Sequence, residues 1–130
     1  MTNTYNIGNT TNLVTLEADI TTVGLAASRA SILVVSGTDP GIVVAHSVNA
    51  TGDISTQPIG DRTLLRGKRL TVYTKISLTG NDAAARANEA SAVMGTYLLS
   101  GGDEGVKSYH NPTNTYIDPN VFLLFTVDLS

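Results

Sequence analysis

Apolar residues in this chain fall mostly at every second position, a period that favours β-strands over helices. Across 13–20, Val14, Leu16, Ala18 and Ile20 alternate with Thr15, Glu17 and Asp19, as in a strand buried on one side. "RASILVVSG" (29–37) is a continuous β-branched run ending at Gly, and it predicts a central strand. Thr38-Asp39-Pro40-Gly41 is turn chemistry, and "IVVAHSV" (42–48) returns as the hairpin partner. The clearest alternation is "RLTVYTKISL" (69–78): Leu70, Val72, Ile76 and Leu78 share one face, opposite Arg69, Thr71, Tyr73, Lys75 and Ser77. In the closing "NVFLLFTVDLS", Val121, Leu123, Phe125, Val127 and Leu129 alternate with Phe122, Leu124, Thr126 and Asp128. Apolar residues on both faces as far as Leu124 predict that its first half is covered on both sides. A strand running to the last residue predicts an element locked into a sheet.

The pattern is weaker elsewhere. Residues 63–66 read as a short strand, and 49–60 as a polar loop with Pro58 and Gly60 as breakers. "GNDAAARANEASAVMGTYLLSGG" (80–102) allows two readings. As one helix it has a cap at Asn81 or Asp82 and a stripe of Ala83, Ala87, Ala90, Met94 and Tyr97. Ser91, Val93, Gly95 and Thr96 are poor or middling helix formers, and "SAVMGTYLL" also alternates as a strand. The reading adopted is a short helix over 82–90 followed by a strand over 92–99, with Gly101-Gly102 as its turn.

Together these give strands at 13–20, 29–36, 42–48, 63–66, 69–78, 92–99 and 121–129. The expected fold is all-β: an antiparallel β-sandwich of about seven strands with one short helical segment near 82–90. Helical pattern is too sparse for βαβ alternation. A single domain over 1–130 follows from the length, with residues 1–12 as a polar N-terminal arm. The match of Thr2-Asn3-Thr4-Tyr5 to Thr113-Asn114-Thr115-Tyr116 extends no further and marks no repeat.

Composition narrows the function classes. Charged residues make up 15% of the chain, against about 25% in a typical domain. The net charge is −3, so no strong overall field draws polyanions. Absence of cysteine removes disulfides, thiolate nucleophiles and cysteine metal sites. No apolar run reaches the roughly 20 residues of a membrane span, and the first residues lack a signal-peptide pattern. A cytoplasmic protein without membrane contact is the expectation.

Candidate chemistry is sparse. Five of the eight cations lie in 62–75: Arg62, Arg66, Lys68, Arg69 and Lys75. Arg69, Tyr73 and Lys75 share one strand face and offer phosphate contacts beside an aromatic ring. The ordinary meaning of such a cluster is a solvated strand face with Arg66-Gly67-Lys68 as the turn leading in, and the acidic balance favours that meaning. "GDRTLLRGKR" lacks phosphate-loop spacing, since Arg69 follows Lys68 where Ser or Thr is needed. His46 and His110 have no metal-ligand spacing; a half-buried His46 and an exposed His110 are expected. No G-x-S-x-G elbow is present. Asp103-Glu104, between glycines, reads as a charged hairpin tip, lacking the acid spacing of a calcium loop. Two Asn-x-Thr sequons, at Asn9 and Asn49, are inert without a secretory route.

The expectation is therefore a non-enzymatic structural or protein-interaction β-domain without cofactor or metal, whose partner is itself, as a homo-oligomer, or another protein. The alternative is a viral coat-like protein. A run of strands, a basic strand and then "NDAAARANEASAVMGTYLLSGG" resembles the strand-then-helix ending of small RNA-phage coat proteins, which are of similar length. That resemblance covers about 69–100 and rests on pattern; the strand-like tail after Pro119 and the acidic charge depart from it. It implies particle assembly, a place in the virion, and RNA binding by a sheet through Arg66, Lys68, Arg69, Tyr73 and Lys75.

Overall fold

Period-two sequence becomes period-two burial on every long strand. The computed structural model describes residues 3–34 and 41–130. Its strands are β1 (Asn3–Tyr5), β2 (Val14–Thr21), β3 (Leu25–Val34), β4 (Ile42–His46) and β5 (Ile54–Gly60), followed by α1 (Arg62–Leu65) and β6 (Lys68–Ser77). Next come α2 (Ala83–Ser91), β7 (Met94–Ser100), β8 (Lys107–Tyr109), β9 (Thr113–Ile117) and β10 (Asn120–Leu129). One sheet runs β1-β10-β6-β3-β4, and the other β5-β2-β7-β8. β9 and β1 share one edge of β10: β9 pairs with 120–124 and β1 with 127–129. The named strand pairings are antiparallel except β1 with β10. This is a sandwich-like all-β fold.

The two sheets bury their facing sides in one core. Leu70, Val72 and Ile76 of β6 and Leu123 and Phe125 of β10 join Leu16, Tyr97 and Leu99 of the second sheet, all nearly inaccessible. At its centre the Tyr97 and Phe125 rings stack, centroids 4.2 Å apart and planes within 4°, with Tyr109 tilted against Phe125 at 5.2 Å. Gly95 makes room for this: a Cβ there would sit 2.7 Å from the Tyr97 hydroxyl oxygen. That hydroxyl is buried without a hydrogen-bond partner of good geometry among the described residues. Burial pushes its pKa up to about 12, with the Thr74 hydroxyl offsetting part of the rise.

Polar groups elsewhere in the core are matched. The Ser28 hydroxyl donates to the Gly52 carbonyl at 2.6 Å and lies 2.7 Å from the Thr74 hydroxyl. Ala26, Ser28 and Ala30 are small, so the segment before β5 packs against the inner side of β3. A Cβ on Gly52 would lie 2.7 Å from that of Ala26, and this glycine has φ +78.

Most of the predicted architecture is present, with informative departures. Over 80–102 the helix-then-strand reading is correct. Asp82 caps α2 by accepting from the Ala85 N–H at 2.8 Å. The chain then extends into β7 with Gly95, Tyr97 and Leu99 inward. Residues 63–66 are not a strand: 63–65 lie in α1 and Arg66 is its C-cap. Asp61 accepts from the Leu64 N–H at 3.1 Å and the Thr63 hydroxyl at 2.6 Å, and this cap decides the local structure. The turn proposed at 38–41 and the end of the 29–36 strand lie mostly outside the described residues. Within 49–60, Ile54–Gly60 is a strand; Pro58 is tolerated because β5 is a sheet edge, paired with β2 alone among the described strands. The polar N-terminal stretch carries β1, and its Tyr5 and Ile7 are fully buried. Asp103 and Glu104 hold that stretch in place, accepting from the Asn9 and Asn6 N–H groups at 3.0 and 2.8 Å.

The outer side of β10 departs most usefully. Leu124 is 43% exposed, so the first half of this strand is covered on one side only. Its lock into the sheet is as expected: β6 pairs along nine consecutive register positions, and β1 and β9 fill the other edge.

Two predictions follow from the core. Phe125→Ala removes the central ring, and chemical denaturation should show a loss of about 3–5 kcal/mol; a loss under about 1 kcal/mol would contradict the stacking account. Burial raises Tyr5, Tyr97 and Tyr109 above the ordinary phenol value of 10.0. A raised phenol stabilises the folded state below 10.0, and that contribution disappears as pH rises through the elevated values. Tyrosinate absorbance should therefore report these three late, together with loss of near-ultraviolet circular dichroism. Full ionisation of all five tyrosines near pH 10 with structure intact would contradict it.

Candidate functional site

The uncovered side of the six-stranded sheet is where chemistry-bearing side chains gather. Strand parity puts Arg29 of β3, Tyr73 and Lys75 of β6, and Phe122 and Leu124 of β10 outward, because their neighbours Ala30, Val72, Thr74, Leu123 and Phe125 are buried. Register then lines them up. Tyr73 stands between Arg29 and Leu124, and Lys75 between Ala27 and Phe122. His46 flanks Arg29 from β4. The Tyr73 and Phe122 rings stack across the strands at 6.1 Å and 27°. Small Ala27 leaves a shallow depression of about 230 Å³ against Ser28, Arg29, Tyr73 and Lys75. A second, of about 320 Å³, continues from Ala27 and Lys75 toward Leu25 and Asn49.

The cations anticipated from sequence do not stay together. Arg69 lies on this face but is held by Asp128, its register partner on β10, with contacts of 2.7 and 3.3 Å. The carboxylate's hydrogen bond and charge keep the guanidinium protonated even more firmly than usual. Lys68 has the parity of buried Leu70, so it belongs to the opposite side of β6. Arg62 donates to the Asn9 carbonyl at 2.9 Å, and Arg66 reaches the Asn9 side chain at 3.5 Å; both cap the region around α1. Of Arg66, Lys68, Arg69, Tyr73 and Lys75, only Tyr73 and Lys75 share this face without an ion pair among the described residues. Arg29, Phe122, Leu124 and His46 join them. The alternation of β10 signalled Phe122 and Leu124, but no local pattern told that β3 and β10 flank β6.

Strand order sets the two histidines on different sheets, His46 on β4 and His110 just after β8. His46 is exposed, not half-buried: it points outward from an edge strand, with Nδ1 2.9 Å from the Ser47 carbonyl oxygen. His110 is exposed as expected, 3.2 Å from the Thr96 hydroxyl on the other sheet. Among the described residues no three His, Asp or Glu side chains converge to hold a metal, and no helix is long and apolar enough to cross a membrane.

The fold therefore defines a two-sheet all-β protein with one open, aromatic and cationic sheet face. Compared with known family models, curated proteins and solved structures, the chain matches none.

The Arg69–Asp128 pair has both side chains about 30% exposed, where ion pairs contribute little. Arg69→Ala should thus lower unfolding free energy by about 0.2–1 kcal/mol in a denaturant titration; a loss above about 3 kcal/mol would mean the pair carries the sheet.

Proposed function

We propose that this protein is a non-enzymatic, self-associating structural β-domain whose contact surface is the outer face of the six-stranded sheet. One observation carries the reading: Tyr73 and Leu124, register partners on the outer face of the sheet, are 41% and 43% exposed, and Phe122 stacks on Tyr73 beside them. Isolated exposed apolar residues are ordinary, but a contiguous patch marks a contact surface. Three ten-residue strands, with the shorter β4, β9 and β1 at the edges, spaced about 4.8 Å apart, present roughly 700 Å², close to one partner's share of a standard protein interface. Tyr is well suited to such a surface, combining a rigid apolar ring with a polar tip.

A second reading, RNA binding by a coat-like protein, is favoured by the stacked Tyr73 and Phe122 rings beside Arg29 and Lys75. Rings on a sheet stack bases while cations meet phosphate. Arg29 and Lys75, without an ion pair among the described residues, supply a weak electrostatic term, so self-association stands first.

Light scattering on the size-fractionated protein separates the two readings. The wild type should run as a dimer or larger species, and Leu124→Glu should run as monomer with an unchanged circular dichroism spectrum. A wild type that stays monomeric at high concentration would overturn self-association. Mass gained only on adding RNA, and lost as salt rises, would replace it with the RNA reading.

A further inference from the structure

The two outer faces of the sandwich carry opposite charge, and this bears on how copies would meet. On the second sheet, Glu17 and Asp19 of β2 point outward, since Leu16, Ala18 and Ile20 are buried. Beside them Asp53 lines a hollow of about 380 Å³ with Val48 and Asn49. Asp53 is engaged, accepting from the Ile20 N–H at 2.8 Å; Glu17 and Asp19 have no ion pair among the described residues. Thr15, Thr21, Met94, Thr96, Leu98 and Ser100 of β2 and β7 share this face, with Ser108 of β8 opposite Leu98 and His110 beside Thr96; none of these is a lysine or arginine. On the six-stranded face the ionic groups without an ion pair among the described residues are Arg29 and Lys75, both cationic, because Asp128 is paired with Arg69.

We propose that copies of this chain associate face to back, the Arg29/Lys75 face of one against the Glu17/Asp19 face of the next. The inference rests on the self-association reading and specifies its polarity. Pairing the six-stranded face with its own copy would bring four cations together over apolar surface, a like-charge contact that disfavours that arrangement. Face-to-back stacking instead sets two cations against two carboxylates while burying Tyr73 and Leu124 under a Thr-rich sheet. Such a contact is heterologous: it builds a closed ring or an open chain with a free face at each end, not a two-fold dimer.

Charge reversal with light scattering tests this directly. At a concentration where the wild type is associated, Glu17→Lys with Asp19→Lys should run as monomer, and so should Arg29→Glu with Lys75→Glu. Mixing the two variants should restore the associated mass, and combining all four changes in one chain should restore self-association. If that fourfold variant folds poorly by circular dichroism, the neutral pair Glu17→Gln and Asp19→Asn serves in its place, and it should dissociate at lower salt than the wild type. Association of the wild type that is unchanged by reversing Glu17 and Asp19 would overturn face-to-back polarity while leaving self-association standing. A wild type that is monomeric at every concentration would overturn both.

Discussion

Pairing of β6 with β10 is the constraint on which the rest depends. These two ten-residue strands run antiparallel in register from Asn120 opposite Ser77 to Asp128 opposite Arg69. A shift of β6 by one position against β10 would turn Leu70 and Val72 to solvent and bring Arg69 and Tyr73 into the core. That penalty fixes both faces at once. The inner side becomes the surface on which Tyr97 and Tyr109 pack against Phe125, and the outer side necessarily displays Tyr73, Lys75, Phe122 and Leu124. The candidate contact surface is thus the geometric complement of the core.

The long strands were legible in sequence for that reason. Where one side of a strand is buried, hydrophobicity must alternate, and β2, β6 and β10 follow it closely. β9 left no such trace, because all five of its side chains are exposed and it is held through backbone pairing with β10. β5 was hidden by Pro58 and by register irregularities opposite β2. α1 was misread because a four-residue helix is set by the Asp61 cap and not by periodicity. Tyr5 and Ile7 looked like parts of a polar arm, since two apolar residues amid Thr and Asn carry no period.

The candidate face was half legible. Parity within β6 paired Tyr73 with Lys75, but the other cations of that cluster were separated by contacts distant in sequence: Asp128 for Arg69 and Asn9 for Arg62. Arg29, more than forty residues from Tyr73, came to its side through strand order, which alternation does not encode. Likewise, the covered first half expected for β10 proved to be an open surface, and the apolar residues that prompted that expectation, Phe122 and Leu124, are the ones that make it a contact candidate.

The central claim is that β6 and β10 bury one side in the core and offer the other to a second copy. Single cysteines introduced along 70–76 and 121–127 test it cleanly, because the chain has none of its own. Thiol labelling of dilute native protein should be fast at 71, 73, 75, 122, 124 and 126 and slow at the positions between, and at high concentration the fast set should become protected. Uniform labelling along the strands would contradict the fold, and outer positions that stay equally reactive at every concentration would contradict the contact surface.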